Sequence, residues 1–157
     1  MLLQDKMSKN KKIDTFVYEG LGFPIRLIHV PLRKVYGEWV FDFSLGTFQK
    51  AVLNMLARKL SPITGAELRF IIDYFEMSYR DFAKLFGVSH VAVVKWEKEE
   101  TKMNPSTEIC LRLYILNFLK VSDKEFRTFY LEMTPDHLSH YERERTPLEM
   151  DADKIAC

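Results

Sequence analysis

The chain of 157 residues has little cysteine, little net charge and no long apolar run. Its two cysteines, Cys110 and Cys157, stand far apart and form no metal-binding or redox spacing, so neither a zinc cluster nor a disulfide framework is expected. Cys110 is expected to pack as a small hydrophobe. No stretch approaches the ~18–20 apolar residues of a membrane span. The opening residues MLLQDKMSKNKK are polar, without the apolar centre of a secretory signal. The expectation is a cytoplasmic protein with no membrane contact. A formal net charge of +1 excludes binding to a polyanion through bulk charge alone. No Gly-rich phosphate loop, nucleophile elbow or catalytic carboxylate pair is present. His137 and His140, with Glu142 and Glu144 nearby, lack an evident third ligand and read as surface histidines. His29 falls in a strand pattern as a satisfied or exposed side chain. The chain is therefore expected not to be an enzyme, with no catalytic residue, no metal ligand and no cofactor.

Apolar side chains make up 47% of the residues, enough for a packed core rather than disorder. The most informative stretch is Ser78–Lys98, SYRDFAKLFGVSHVAVVKWEK. Ser78 caps a first helix, with Asp81 in its first turn. Phe82, Ala83, Leu85 and Phe86 give it an apolar stripe. Gly87 ends it, as a residue free to take positive φ. Val88 fills the turn, and Ser89 caps a second helix in which Val93 and Trp96 share one face. Two helices joined by a short turn containing Gly form the helix-turn-helix of DNA-binding proteins, whose second helix enters the major groove.

Around this stretch the spacing predicts an α+β chain. A small N-terminal antiparallel β-sheet precedes an all-α helix-turn-helix bundle with extra C-terminal helices. Residues 1–14 read as a disordered basic arm, either solvated or touching phosphate through Lys6, Lys9, Lys11 and Lys12. Residues 15–43 read as a β-sheet module, with strands at Thr15–Tyr18, Ile25–Val30 and Val35–Phe43. So small a sheet needs a covering surface. Residues 44–62 form a connecting helix, capped by Ser44, with Leu45, Phe48, Val52, Met55, Leu56 and Leu60 on its apolar face. The helix-turn-helix domain spans 63–120 and opens on a capping box, Thr64 to Glu67. Pro105 starts a further helix, to about Leu119, that is apolar on more than one side. Residues 121–157 form a helical extension and tail. A capping box from Ser122 to Glu125 begins it, Thr134–Pro135 starts a short helix to about Glu144, and the chain frays after Arg145.

Charge is uneven along these segments. Residues 1–60 hold ten Lys/Arg against five Asp/Glu, 61–104 six against seven, and 105–157 seven against ten. Around the motif the cations Arg80, Lys84, Lys95, Lys98 and Lys102 are interleaved with acids. Modest DNA affinity per subunit is expected, raised by dimerisation.

Ser78, Phe82, Ala83, Phe86, Gly87, Val88, Ser89, Val93, Trp96 and Glu97 sit at the spacing of the repressor-like helix-turn-helix family, which this stretch resembles. Tyr18-Glu-Gly-Leu-Gly-Phe-Pro-Ile25, Leu27, Val30-Pro31, Gly37-Glu38 and Thr64-Gly-Ala-Glu-Leu-Arg-Phe70 extend the likeness, from about residue 16 to about 119, to the MqsA/YgiT-type antitoxins. In that family a zinc-bearing N-terminal domain binds a toxin, and a C-terminal domain dimerises and represses its own operon. This chain departs at the zinc: residues 1–36 hold no cysteine, so no Cys₄ centre is possible there, and toxin neutralisation is placed in doubt with it.

The resemblance implies that Val91 and Lys95 read base edges, Lys95 at a guanine and Val91 at a thymine methyl. Tyr79 stands where relatives grip a phosphate, or else packs on the neighbouring helix. His90 donates to phosphate or base, or faces water. Glu97 is structural, paired with Arg69 or Arg80. The DNA-binding set is Tyr79, Arg80, Ser89, His90, Val91, Val94, Lys95, Lys98, Lys102 and Asn104, the last two in the loop after the reading helix. The expected function is a transcriptional regulator, an antitoxin repressing its own operon as a homodimer on a palindromic double-stranded DNA operator, with a toxin protein as a possible partner. The alternative is a protein-interaction module that binds a partner through the N-terminal sheet, with weak or no DNA binding.

Overall fold

The computed structural model describes residues 10–139 and 147–155. The fold is α+β. Strands β1 (Asn10–Tyr18), β2 (Ile25–Val35) and β3 (Glu38–Phe41) precede helices α1 (Leu45–Arg58), α2 (Gly65–Tyr74), α3 (Tyr79–Phe86), α4 (His90–Glu97), α5 (Pro105–Phe118), α6 (Asp123–Glu132) and α7 (Pro135–Ser139). A late strand β4 (Leu148–Asp151) and a 3-10 turn (Ala152–Lys154) close the described chain. Two compact units result, and the boundary between residues 51 and 52 falls within α1. No helix among the described residues is long and apolar enough to cross a membrane.

In the sheet unit β2 is the middle strand. β1 pairs antiparallel along one edge, from Tyr18 opposite Ile25 to Asn10 opposite Arg33. β3 pairs antiparallel with residues 32–35 of β2, and β4 pairs in parallel with residues 25–28. The β2–β3 hairpin turns on Tyr36 and Gly37, both at positive φ (48° and 84°), as a two-residue turn matched to strand twist requires. Along β2 the buried positions change parity, from Ile25 and Leu27 to Val30 and Leu32. The change occurs across His29, whose φ is 51°. Phe16, Tyr18, Phe41 and Phe43 pack ring against ring with Phe48 of α1, with centroids 5.1–6.1 Å apart.

The strands differ from the sequence-based expectation at several points. Residues 10–14, expected in a disordered arm, belong to β1. The unsatisfied edge of β2 outweighs their polar composition, Lys11 lies 4.3 Å over the Trp39 ring, and Lys12 meets Asp153 at 2.7 Å. Residues 1–9 of that arm lie outside the described residues. β2 runs through Pro31 instead of stopping at Val30. Pro31 lacks an N–H, but its carbonyl still accepts from Asp42 at 2.9 Å. The strand expected over 35–43 shrinks to β3. The tail expected to fray after Arg145 instead returns as β4, burying Met150, Ala152 and Ile155. The expected helix to Glu144 is described to Ser139, and its remainder lies outside the described residues.

In the helical unit the expected caps are in place. Thr64 and Glu67, and Ser122 and Glu125, form reciprocal capping boxes. Pro105 opens α5 after the Asn104 cap. Leu68, Ile71, Ile72, Phe82, Val93, Ile109, Leu111, Ile115 and Leu116 fill the core. Cys110, expected inside, is exposed, because α5 turns Ile109, Leu111 and Arg112 inward instead. Leu45 and Leu60, expected on the buried face of α1, are 56% and 57% exposed, while Leu53 and Ala57 are buried.

Arg112 is fully buried. Its Nη1 donates to the Ala57 carbonyl at 3.2 Å and to the Lys59 carbonyl, and its Nη2 donates to the Ser61 carbonyl at 2.7 Å. Nη2 also lies 3.3 Å from Glu108 Oε2, while Glu108 Oε1 accepts from the Ile63 N–H at 2.8 Å. Beside them Lys59 Nζ meets Glu67 Oε1 at 2.5 Å. The polar backbone joining α1 to α2 is thus satisfied by side chains, as a buried connection demands. A guanidinium presents five donors in a fixed planar fork, which suits carbonyls held at separate points better than the three donors of a compact ammonium.

Arg112→Ala is expected to lower stability by about 3–5 kcal/mol, since it strands a buried carboxylate and three carbonyls. Urea unfolding checks the magnitude. Burial pushes the Glu108 carboxyl above its ordinary range, against the pull of Arg112 and of the Ile63 amide. The folded chain then holds a proton that the unfolded chain releases. Stability from Glu108 therefore declines as pH climbs from the ordinary carboxyl value through the raised one. Losing Arg112 should extend that decline to higher pH, which unfolding measured at a series of pH values reads directly.

Candidate nucleic-acid interface

Local chemistry sets the helix-turn-helix. Ser78 Oγ accepts from the Asp81 N–H at 3.0 Å and starts α3. Gly87 ends it in the left-handed region, at φ 67° and ψ 34°. The Val88 N–H reaches back to the Ala83 carbonyl at 2.9 Å, which satisfies the last turn of α3. Ser89 Oγ accepts from the Ala92 N–H at 3.1 Å and starts α4. Val93 and Trp96 turn into the core.

The outer face of α4 follows from its 3.6-residue period. Val91, Lys95 and Lys98 lie three and four apart and are exposed, as is His90. Val94 is half-buried at the margin of this face. Arg80 and Lys84 stand one turn apart on α3, both exposed, and Lys102 is exposed in the loop after α4. Ser89 and Asn104 are exposed, but each side-chain oxygen caps a helix. Asn104 Oδ1 accepts from the Ser106 N–H at 2.8 Å.

Tyr79 takes the packing alternative. Its hydroxyl donates to Glu97 Oε2 and accepts from Arg69 Nη1 at 2.6 Å. Arg69 also reaches Glu97 Oε1 at 3.1 Å and Asp73 Oδ2 at 3.0 Å. Glu97 therefore pairs with Arg69, not with Arg80. The Asp73 carboxylate first, and Glu97 second, hold the Arg69 pKa above its ordinary value. This cluster ties α2 and the start of α3 to the end of α4.

Two contributors were missed in the sequence. Gly65 opens α2 directly against α4, and a Cβ there would stand 2.1 Å from the Glu97 carbonyl oxygen. The Gly65 N–H donates to Glu99 Oε1 at 2.9 Å, placing an anion at a helix N-terminus. The one available signal was a glycine at the first helical position, where a residue with a side chain ordinarily serves. These contacts also alter the charge balance. Glu97 and Glu99 are engaged with the fold, while none of the ion pairs among the described residues takes Arg80, Lys84, Lys95, Lys98 or Lys102.

The sheet unit holds a separate polar cluster. His29 Nδ1 lies 3.3 Å from Asp151 Oδ1, and with Asp153 they form a group close enough to share a cation. The Lys12 ammonium already supplies a counter-charge to Asp153. The Asp153 backbone N–H, more than His29, holds the Asp151 carboxyl below its ordinary pKa. Comparison with protein-family models, with curated proteins and with solved structures finds no match to this chain.

Gly65→Ala is expected to lower stability by roughly 1–3 kcal/mol, the usual cost of forcing atoms into a filled contact. The obstacle is backbone and cannot rotate away. Thermal unfolding beside the wild type checks this, and an unchanged midpoint would remove the close approach from the account.

Proposed function

We propose that this chain is a sequence-specific regulator of transcription that binds double-stranded DNA, each subunit laying α4 in the major groove of one half-site of a palindromic operator. The observation that carries the reading is the set of exposed cations on the helix-turn-helix and the loop after it, Arg80, Lys84, Lys95, Lys98 and Lys102, none of which joins an ion pair among the described residues. Neutralising phosphates requires cations available locally, and global charge is a poor guide to that. Lys95 then donates to a guanine edge and Val91 meets a thymine methyl. The likeness of residues 16–119 to MqsA/YgiT-type antitoxins supports a repressor of its own operon acting as a homodimer.

A second reading has its own support. Phe16 and Val17 on β1 and Val40 on β3 are 41%, 50% and 37% exposed, so the sheet unit offers apolar surface to a protein partner such as a toxin. An antitoxin uses both surfaces, and the readings are compatible.

Lys95→Ala is expected to weaken binding to the DNA upstream of the chain's own gene by ~1–3 kcal/mol and to relax base preference at one position. Gel shifts at two salt concentrations, with single-base operator variants, test this. Unchanged affinity together with unchanged base preference would refute the role given to Lys95. No specific shift at low salt by the wild type would leave the partner-binding reading.

A further inference from the structure

A cavity of about 540 Å³ opens in the helical unit, where α6 and α7 meet the end of α1. That volume falls in the ~300–1,000 Å³ range of small-molecule sites. Its buried lining is apolar. Phe129 and Met133 stand one turn apart on α6, both buried, and Leu60, in the connection after α1, borders the cavity at 57% exposure. Next to Phe129 and Met133 on α6 runs a second row, Lys124, Thr128 and Glu132, spaced i to i+4 and exposed. Arg58, the last residue of α1, and His137 of α7 complete the lining with Glu125.

The charged groups around the cavity are engaged to different degrees. Glu125 Oε2 accepts from the Ser122 N–H at 3.3 Å, so this carboxylate serves the cap of α6. Arg58 Nε donates to Asn54 Oδ1 at 2.9 Å, which anchors the guanidinium and leaves its two terminal nitrogens for a ligand. Arg58, Lys124 and Glu132 join no ion pair among the described residues. Two cations are thus available against one carboxylate. Lys124 and Glu132 lie about 12 Å apart along the helix axis, so α6 gives the cavity a cationic end and an anionic end with apolar surface between them.

We propose that this cavity binds a small monocarboxylic acid with an apolar body, its carboxylate taken by Arg58 and Lys124 and its body laid over Phe129 and Met133. A guanidinium meets a carboxylate with two parallel N–H bonds, and an ammonium adds a point charge. Glu132 repels the same carboxylate from the other end and so sets the direction in which the ligand lies. The apolar body takes what surface Leu60, Phe129 and Met133 still expose out of water, which supplies the affinity, while the few polar groups supply the orientation. A ligand of about ten non-hydrogen atoms is expected to bind with a dissociation constant on the order of 0.1 mM. Neither α3 nor α4 lines the cavity, so the site stands apart from the DNA-binding reading.

Titration of the full chain with sodium octanoate, followed by two-dimensional amide NMR, tests this. Octanoate should saturate, with the shifts concentrated at the residues that line the cavity. Octanol, of equal length and uncharged, should bind about tenfold more weakly. Arg58→Gln should weaken octanoate about tenfold and leave octanol unchanged. Arg127→Gln removes an exposed cation of α6 outside the cavity and should change neither. Thr128→Trp sends an indole into the cavity from an exposed position and should abolish both, with unchanged circular dichroism. If Thr128→Trp fails to fold, octanoate against octanol on Arg58→Gln decides alone. The proposal is overturned by no saturable octanoate binding up to about 5 mM, by equal affinity for octanol, by binding that survives Thr128→Trp, or by an Arg58→Gln effect no larger than that of Arg127→Gln.

Discussion

The helical unit depends on one buried ion pair. Arg112 and Glu108, one turn apart on α5, take up three carbonyls and one N–H of the connection between α1 and α2. A buried salt bridge is often no better than a well-packed apolar pair. Here the alternative is not apolar packing, because the backbone polar groups of residues 57–63 would remain. The pair is best understood as a template that fixes where α2 begins. α2 in turn sets α4, because Gly65 and Arg69 both bear on Glu97. The orientation of the exposed face of α4 is thus inherited, through two steps, from a guanidinium in the core.

Charge is sorted by this arrangement. The helix-turn-helix segment holds nearly equal numbers of acids and bases, and by composition it is a poor polyanion binder. The acids, however, do a large share of the structural bonding. Glu67 and Glu97 pair with Lys59 and Arg69, and Glu99 accepts from the Gly65 N–H. The bases left over are exposed and carry no partner among the described ion pairs. Summed charge counts a carboxylate inside an ion pair the same as one facing solvent, and this hides the asymmetry.

The division between what the sequence disclosed and what it concealed follows sequence separation. Caps at Ser78, Ser89, Thr64 and Ser122, the turn at Gly87 and the inward face of Val93 and Trp96 are decided within four residues, and they were legible. The role of Arg112 was not, because its carbonyl partners lie on a distant segment and a lone Arg in a greasy helix reads as surface. Tyr79 was ambiguous for the same reason, until Arg69 and Glu97 came together around it. Residues 10–14 and 148–151 are polar enough to pass for tails, and they become strands only because β2 presents open edges to them. In the candidate interface the exposed cations were visible in advance. The engagement of the nearby acids was not.

The position of β4 has a consequence for the order in which the protein is built. Leu148 pairs with Ile25, so the middle strand of the sheet waits for a neighbour that emerges from the ribosome after helices α1–α7. Domains made first usually fold first. Here the helical unit has all its described elements before β4 is synthesised, while the N-terminal sheet still has an open edge at residues 25–28. Pairing across so long a separation carries a loop-closure cost that local contacts do not. Until β4 is made, the described helices of the helix-turn-helix can be complete while residues 25–28 of β2 still lack a partner on one side, and a late strand completes a sheet whose other strands were made before any helix.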